Sequence, residues 1–293
     1  MVTVTIRGEQ KQVQRGTTYE AIVSEYQKEY DDTIAVVAAN GKIRELFKKV
    51  TRDCRVEFFT LRDDVGHKTY VRTATMLFLK AVHDVFGAEA ARKSCVEFTI
   101  GRGIYVNTFG EVPVSEISAE RIKERMRELS DAKAPFMKHC YPIDDAIALF
   151  REKGMEDKVK LFHYRMSSSV NIYEIEGYCD YYYGYMLPNA GYVKWYEVVP
   201  YKNGFMLVLP TKNHPGSVEP FAESKKLFET MENAMDWGRT AGIETVGDLN
   251  DQICNGSMND LILVQEAEQE RKIGEIARDI VNREGVKFVM IAG

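Results

Sequence analysis

Hydrophobic and polar positions alternate strictly at Val2, Val4 and Ile6, and this period of two predicts a strand half-buried on one face. Gly8 and Glu9 turn it toward Val13, and Thr18 stands where a cap is needed for a helix with Ile22, Val23 and Tyr26 inward. A second strand is expected over residues 34–39. The Asn40-Gly41 pair carries the type I′ hairpin signature, and a last strand over 55–61 follows, in which Val56, Phe58 and Thr60 alternate with Glu57 and Phe59. Strand, hairpin, helix and returning strands predict a β-grasp unit over residues 1–62.

From residue 70 to 86 the period lengthens. Val71, Ala74, Phe78, Ala81, Val82 and Val85 fall three and four apart and define the buried face of a helix, with Arg72, Met76, Leu79 and His83 on a second face. The run CVEFTI-GRG-IYVNT reads as two strands joined by a glycine turn. Ser118 is expected to cap a helix with Ile122, Met126 and Leu129 inward, and residues 143–153 repeat the pattern until Gly154 stops it. Strands over 195–199 and 205–209 are bridged by Lys202-Asn203-Gly204. The fold class this implies is α+β.

The pattern then turns helical and charge-rich over 217–284. Phe221, Leu227, Phe228, Met231 and Met235 face inward on a first helix, and Thr245 caps a second with Leu249 and Ile253 on one side. Ser257 with Asp260 suggests a capping box for the longest helix, whose stripe is Leu261, Ile262, Val264, Ile273, Ile276 and Ile280, with Gly285 as its stop. The run VKFVMIAG over 286–293 reads as a buried parallel strand stopping on Gly293, as a phosphate-binding loop begins.

Composition narrows the function classes. The 293 residues are 45% hydrophobic and 28% charged, ample for about two cores. A net charge of -5 argues against avid generic nucleic-acid binding but leaves room for a local basic patch, such as Lys42, Arg44, Lys48 and Lys49, which either touches RNA or is a solvated face. No apolar run approaches the roughly 18 residues of a membrane span, and the first residues lack a signal-type apolar region, which places the chain in the cytoplasm with no membrane partner. Five scattered cysteines form no C-x-x-C pair, so reduced structural thiols are expected.

The richest chemistry lies in GYCDYYYGYMLPNAGYVK, residues 177–194. Its tyrosines fit a stacking platform, a ligand pocket or a strand with alternate rings buried, the last being favoured because aromatic rings chiefly supply packing area. Asp180 and Lys194 flank it, as orienters of a polar ligand or as surface charges. The five histidines show no i, i+4 pair, so no metal is expected; His83 stands out only for its place on the Met76 side of its helix.

The segments GTTYEAIVSEY, VAANGKIREL and DCRVEFFTLRDDVG resemble the TGS domain at the start of threonyl-tRNA synthetases. The order of elements over 63–215 resembles the second additional domain of threonyl- and alanyl-tRNA synthetases, which hydrolyses mischarged tRNA. That resemblance puts a helical H-x-x-x-H at Arg72 to Met76 and a loop C-x-x-x-H at Tyr182 to Met186, so all four ligand positions have changed. It implies the fold while withholding the editing chemistry, and leaves Arg72, Met76, His83, Asp180, Tyr182, Met186 and Lys194 as a candidate pocket without catalytic residues or metal. With a helical connector over 216–285 and the strand over 286–293, the whole chain resembles the first half of a bacterial uridine kinase-like protein of the phosphoribulokinase/uridine kinase family. This implies a chain cut at a domain boundary, with Gly293 opening the phosphate loop of a kinase domain that follows, and with ATP and magnesium bound there and not here. The leading expectation is therefore a non-catalytic region that recognises a nucleoside or regulates its own kinase domain. A threonyl-tRNA synthetase-related RNA-binding or editing protein and a small-molecule sensor are the alternatives, RNA being the less favoured partner.

Overall fold

A computed structural model describes residues 1–285 and 288–290. Strands β1 (Val2–Ile6), β2 (Glu9–Val13), β3 (Ile34–Ala39), β4 (Lys42–Glu45) and β5 (Cys54–Thr60) form one sheet in the order β2-β1-β5-β3-β4. The central β1–β5 pair is parallel and the rest antiparallel. Helix α1 (Tyr19–Tyr26) starts at Thr18, whose side chain accepts from the Ala21 N–H, and buries Ile22 and Val23 against Val4, Ile6, Val37 and Val56. At the β3–β4 turn Asn40 and Gly41 both have positive φ, as a type I′ turn requires. The Asn40 side chain also accepts from the Arg55 N–H at 2.8 Å, tying the hairpin to β5.

Helix α2 (Asp64–Phe86) starts six residues before the hydrophobic rhythm does. Its first turn is polar, and its start is fixed by local bonding: the Asp63 carboxylate accepts from the Thr60 N–H at 2.6 Å. Gly66 lets this turn press on β5, since a β-carbon there would lie 1.9 Å from the Thr60 carbonyl oxygen. From Thr73 to Val82 every residue of α2 is buried, so this helix is a central strut and not a surface helix.

Helix α3 (Ala88–Lys93) leads into β6 (Cys95–Ile100) and β7 (Gly103–Asn107), and helix α4 (Glu116–Asp131) follows. The α4 cap is Ser115, not Ser118: the Ser115 hydroxyl accepts from the Ser118 N–H at 3.1 Å, while Ile122, Met126 and Leu129 are buried as the period requires. Strand β8 (Met137–Pro142), helices α5 (Ile143–Glu152) and α6 (Glu156–His163), and strands β9 (Ser169–Ile175) and β10 (Tyr178–Asp180) come next. The sheet β10-β9-β8 is antiparallel, as is β11-β12-β7-β6, completed by β11 (Glu197–Tyr201) and β12 (Gly204–Val208).

Three helices end the described chain. Helix α7 (Lys225–Thr240) is anchored by Phe228, whose ring meets Phe98, Tyr105 and Tyr201 edge-on at 4.9–5.5 Å. Leu227, expected inward beside it, is exposed. The Thr245–Asp248 capping box opens α8 (Val246–Cys254). No such box opens α9 (Met258–Asn282): the Ser257 hydroxyl bonds to Gln252 instead, and no residue of α9 is buried, so its expected stripe has no core to face. Of the expected terminal strand, residues 288–290 lie in no strand, and the rest, Gly293 included, falls outside the described residues. Among the described residues no helix is long and apolar enough to cross a membrane. The α+β class is as the sequence implied.

Candidate functional site

The site is built where α2 meets the loop that follows β10. Strand character ends at Asp180, so the tyrosines do not alternate along a sheet. Tyr178 is buried, Tyr181, Tyr182 and Tyr185 are half-buried, and Tyr183 is 81% exposed. Tyr182 packs on the main core, and burial drives its phenol well above the ordinary range.

Arg72 and Met186 lie on the two sides of the seam between α2 and the loop, each held by a neighbour of the other. The Arg72 Nη1 donates to the Tyr185 carbonyl at 3.1 Å, and its guanidinium lies flat against Gly184, where an added β-carbon would fall 2.4 Å from Arg72 Cζ. Burial pushes the Arg72 group down from its ordinary value. Met186 is wholly buried, 3.9 Å through its sulfur from the Thr73 hydroxyl. That hydroxyl donates to the Thr69 carbonyl at 2.8 Å and accepts from the Leu187 N–H at 3.0 Å, which locks the loop to the helix. Met76 belongs to the same core.

The other expected members lie apart. His83 sits beside Asp84 at 3.0 Å and against the Tyr178 ring. Asp180 is buried 3.6 Å from the Lys158 ammonium, and burial raises its carboxyl above the ordinary range in spite of that cation. Lys194 is exposed and lines a different cleft with Glu20, Ser24, Gln27 and Lys133.

A residue not singled out from the sequence holds the centre. Glu45, at the end of β4, is only 2% exposed and reaches into the second half of the chain. It accepts from the Met186 N–H at 3.3 Å, from Lys138 Nζ at 2.9 Å and from the Tyr173 hydroxyl. The Tyr173 hydroxyl also lies 2.7 Å from the Gly184 carbonyl. Burial, and then the charge of Glu45, force the Tyr173 phenol far up. The signal was there: Glu45 follows Ile43 by two, on the inward side of the hairpin strand, where a carboxylate needs a partner.

Outside this plug, a cleft of about 560 Å³ opens between the first turns of α2, the β6–β7 turn and residues 209–212. Lys68, Arg72, Arg102 and Lys212 give it a basic wall with His67, set against Asp64. Lys212 pairs with Asp64 at 2.8 Å and Arg102 with Glu219, which leaves Lys68 and Arg72 as its cations without a carboxylate partner among the described residues. Burial lowers the His67 ring below its ordinary value. Among the described residues no group of three His, Cys, Asp or Glu side chains is placed to hold a metal ion. The arrangement supplies anion attraction and hydrogen-bond donors, but no nucleophile–base pair.

Similar proteins give this cleft a context. Threonine–tRNA ligases are among the proteins that match this chain. The one from Syntrophotalea carbinolica is 32% identical over 164 residues, covering 54% of this chain and 25% of the ligase. Those from Caldanaerobacter subterraneus and Porphyromonas gingivalis are 27% and 22% identical, each covering 66% of this chain and 30% of the ligase. The chain thus spans between a quarter and three tenths of the length of these threonine–tRNA ligases. No family model matches the chain. The ligase matches overturn the expectation of a uridine kinase-type regulatory region, and they give no support to a kinase domain as its partner.

Proposed function

We propose that this chain is a threonyl-tRNA synthetase-related RNA-binding protein that holds a single-stranded end of tRNA in the basic cleft beside Arg72. The observation that carries the reading is the meeting of two facts: similarity to threonine–tRNA ligases over more than half of the chain, and a cleft walled by Lys68, Arg72, Arg102 and Lys212 in a protein of net charge -5. A local basic surface on an acidic protein favours one oriented approach by a polyanion over general adhesion.

The reading assigns binding and not hydrolysis. At the positions where the resemblance expects metal ligands stand Arg72, Met76, Tyr182 and Met186, and a guanidinium, thioethers and a phenol suit no divalent ion at neutral pH. Arg72 is instead a preformed donor fork, held by the Tyr185 carbonyl and backed by Gly184. The two units 1–62 and 63–215 work together in this reading, joined through Glu45, with 216–285 as a helical extension anchored by Phe228.

The test is charge reversal within the cleft. Lys68→Glu with Arg102→Glu is expected to weaken tRNA binding roughly tenfold or more at constant salt, with unchanged circular dichroism. Unaltered affinity in the folded double variant contradicts the assignment.

A further inference from the structure

A second basic pocket lies on the β-grasp sheet. It has a volume of about 300 Å³, with Arg44, Lys48, Lys49 and Arg52 around it and Tyr19 and Cys54 as its floor. Each nearby carboxylate is turned elsewhere. Glu45 is committed to Lys138, Asp53 accepts from the Thr3 N–H at 2.7 Å, and Glu57 pairs with Arg55 at 3.3 Å. Four cations therefore converge on one small concavity with no carboxylate partner among the described residues.

The wall is rigid. The Tyr19 N–H donates to the Lys48 carbonyl at 3.0 Å, and the Gly16 and Val50 N–H groups donate to the Val50 and Thr17 carbonyls at 2.8 Å each, so the loop that carries the lysines is stitched to the start of α1. Asn40 is pinned to β5 on the other side. Holding four like charges around one concavity, Arg44 on β4 and three on the loop after it, has an electrostatic cost, which a bound anion relieves. Burial, and then the neighbouring Cys54, push the Tyr19 phenol up to about 12, so the floor is a neutral hydrogen-bonding surface and adds no negative charge.

We propose that this pocket binds a small ligand carrying a phosphate or diphosphate group. Two guanidinium forks give bidentate contacts to phosphoryl oxygens, two ammonium groups supply point charge, and the volume suits a ligand no larger than a nucleotide. The site is separate from the Arg72 cleft, and neither depends on the other.

Isothermal titration calorimetry of the full chain with inorganic pyrophosphate at low salt tests it. The expected result is saturable binding that weakens roughly tenfold or more in Arg44→Gln/Arg52→Gln. The control Lys42→Gln/Arg55→Gln removes the same charge from the same sheet outside the pocket, and is expected to bind as the parent does. A thermal melt of each variant establishes that it is folded. Three results overturn the proposal: no heat up to about 5 mM pyrophosphate, equal binding by the pocket variant, or binding of a short single-stranded RNA that Arg44→Gln/Arg52→Gln loses and Lys68→Glu/Arg102→Glu keeps, which would assign the four cations to a polynucleotide backbone. Loss of tRNA binding in Lys68→Glu/Arg102→Glu with pyrophosphate binding intact separates the two sites.

Discussion

Replacing Glu45 by alanine removes the acceptor shared by Lys138, Tyr173 and the Met186 N–H. Tyr173 loses least, because its single proton still has the Gly184 carbonyl at 2.7 Å. The Met186 N–H is left orphaned in a buried loop, at about 1–3 kcal/mol. Lys138 is 12% exposed along its side chain, so its ammonium becomes a nearly buried, unpaired charge. Breaking a buried pair from one side costs about 3–5 kcal/mol, and the residual exposure of Lys138 favours the lower end. The expected loss is therefore about 3–5 kcal/mol, since the two effects share one region and do not add in full. Glu45→Gln keeps an acceptor for Met186 and loses only the charge, so it is expected to cost about half as much. Urea unfolding followed by far-ultraviolet circular dichroism measures both. A Glu45→Ala variant within about 0.5 kcal/mol of the parent would show that this contact does not hold the β-grasp sheet to the rest of the chain.

Three further outcomes concern α2 and the loop it holds. Gly184→Ala sets a β-carbon 2.4 Å from the Arg72 guanidinium at a φ of +138°, so Arg72 must leave the Tyr185 carbonyl; a thermal melt should fall, and tRNA affinity should change with it. Thr73→Val keeps the shape but strands the Leu187 N–H, at about 1–3 kcal/mol in urea unfolding, and an unchanged midpoint refutes the hydroxyl's role. Asp84 has its carboxyl held below the ordinary 3.8: burial alone would raise it, but hydrogen bonds from Lys80, His83 and Arg125 win. Because the folded value lies below the unfolded one, its stabilisation is full above pH 3.8 and disappears as pH falls through the folded value. Melting temperatures from pH 6 downward should thus converge between the parent and Asp84→Asn in acid, and parallel curves would contradict the pairing.

Much of the fold was legible where one face of an element is buried and the other wet. The alternation at Val2, Val4 and Ile6 and the stripe through Ile122, Met126 and Leu129 gave the right elements because a single core faces each of them. The rule faltered where burial is decided by distant parts of the chain. Strand β8 carries the mixed run MKHCYP at a sheet edge, and the first turn of α2 is polar because β5 and Asp63 hold it. The stripe of α9 was read correctly as apolar, yet nothing in a local pattern says whether a second surface exists to cover it. The candidate site shows the same division. Arg72 and Met186 were placed together by resemblance, whereas Glu45 enters from a strand more than a hundred residues away in sequence, a contact no local period encodes.

In the proposed function an acidic chain takes RNA through one basic cleft. Fluorescence anisotropy with labelled tRNA, repeated between 50 and 200 mM salt, tests it most directly. Two neutralised phosphates of a single strand, at the unpaired Lys68 and Arg72, predict a log–log slope near -1.4, or roughly a sevenfold loss of affinity across that range. Lys68→Glu/Arg102→Glu should bind more weakly and flatten the slope by about half. No measurable binding at 50 mM salt, or a slope unaltered by the double substitution, would contradict the account.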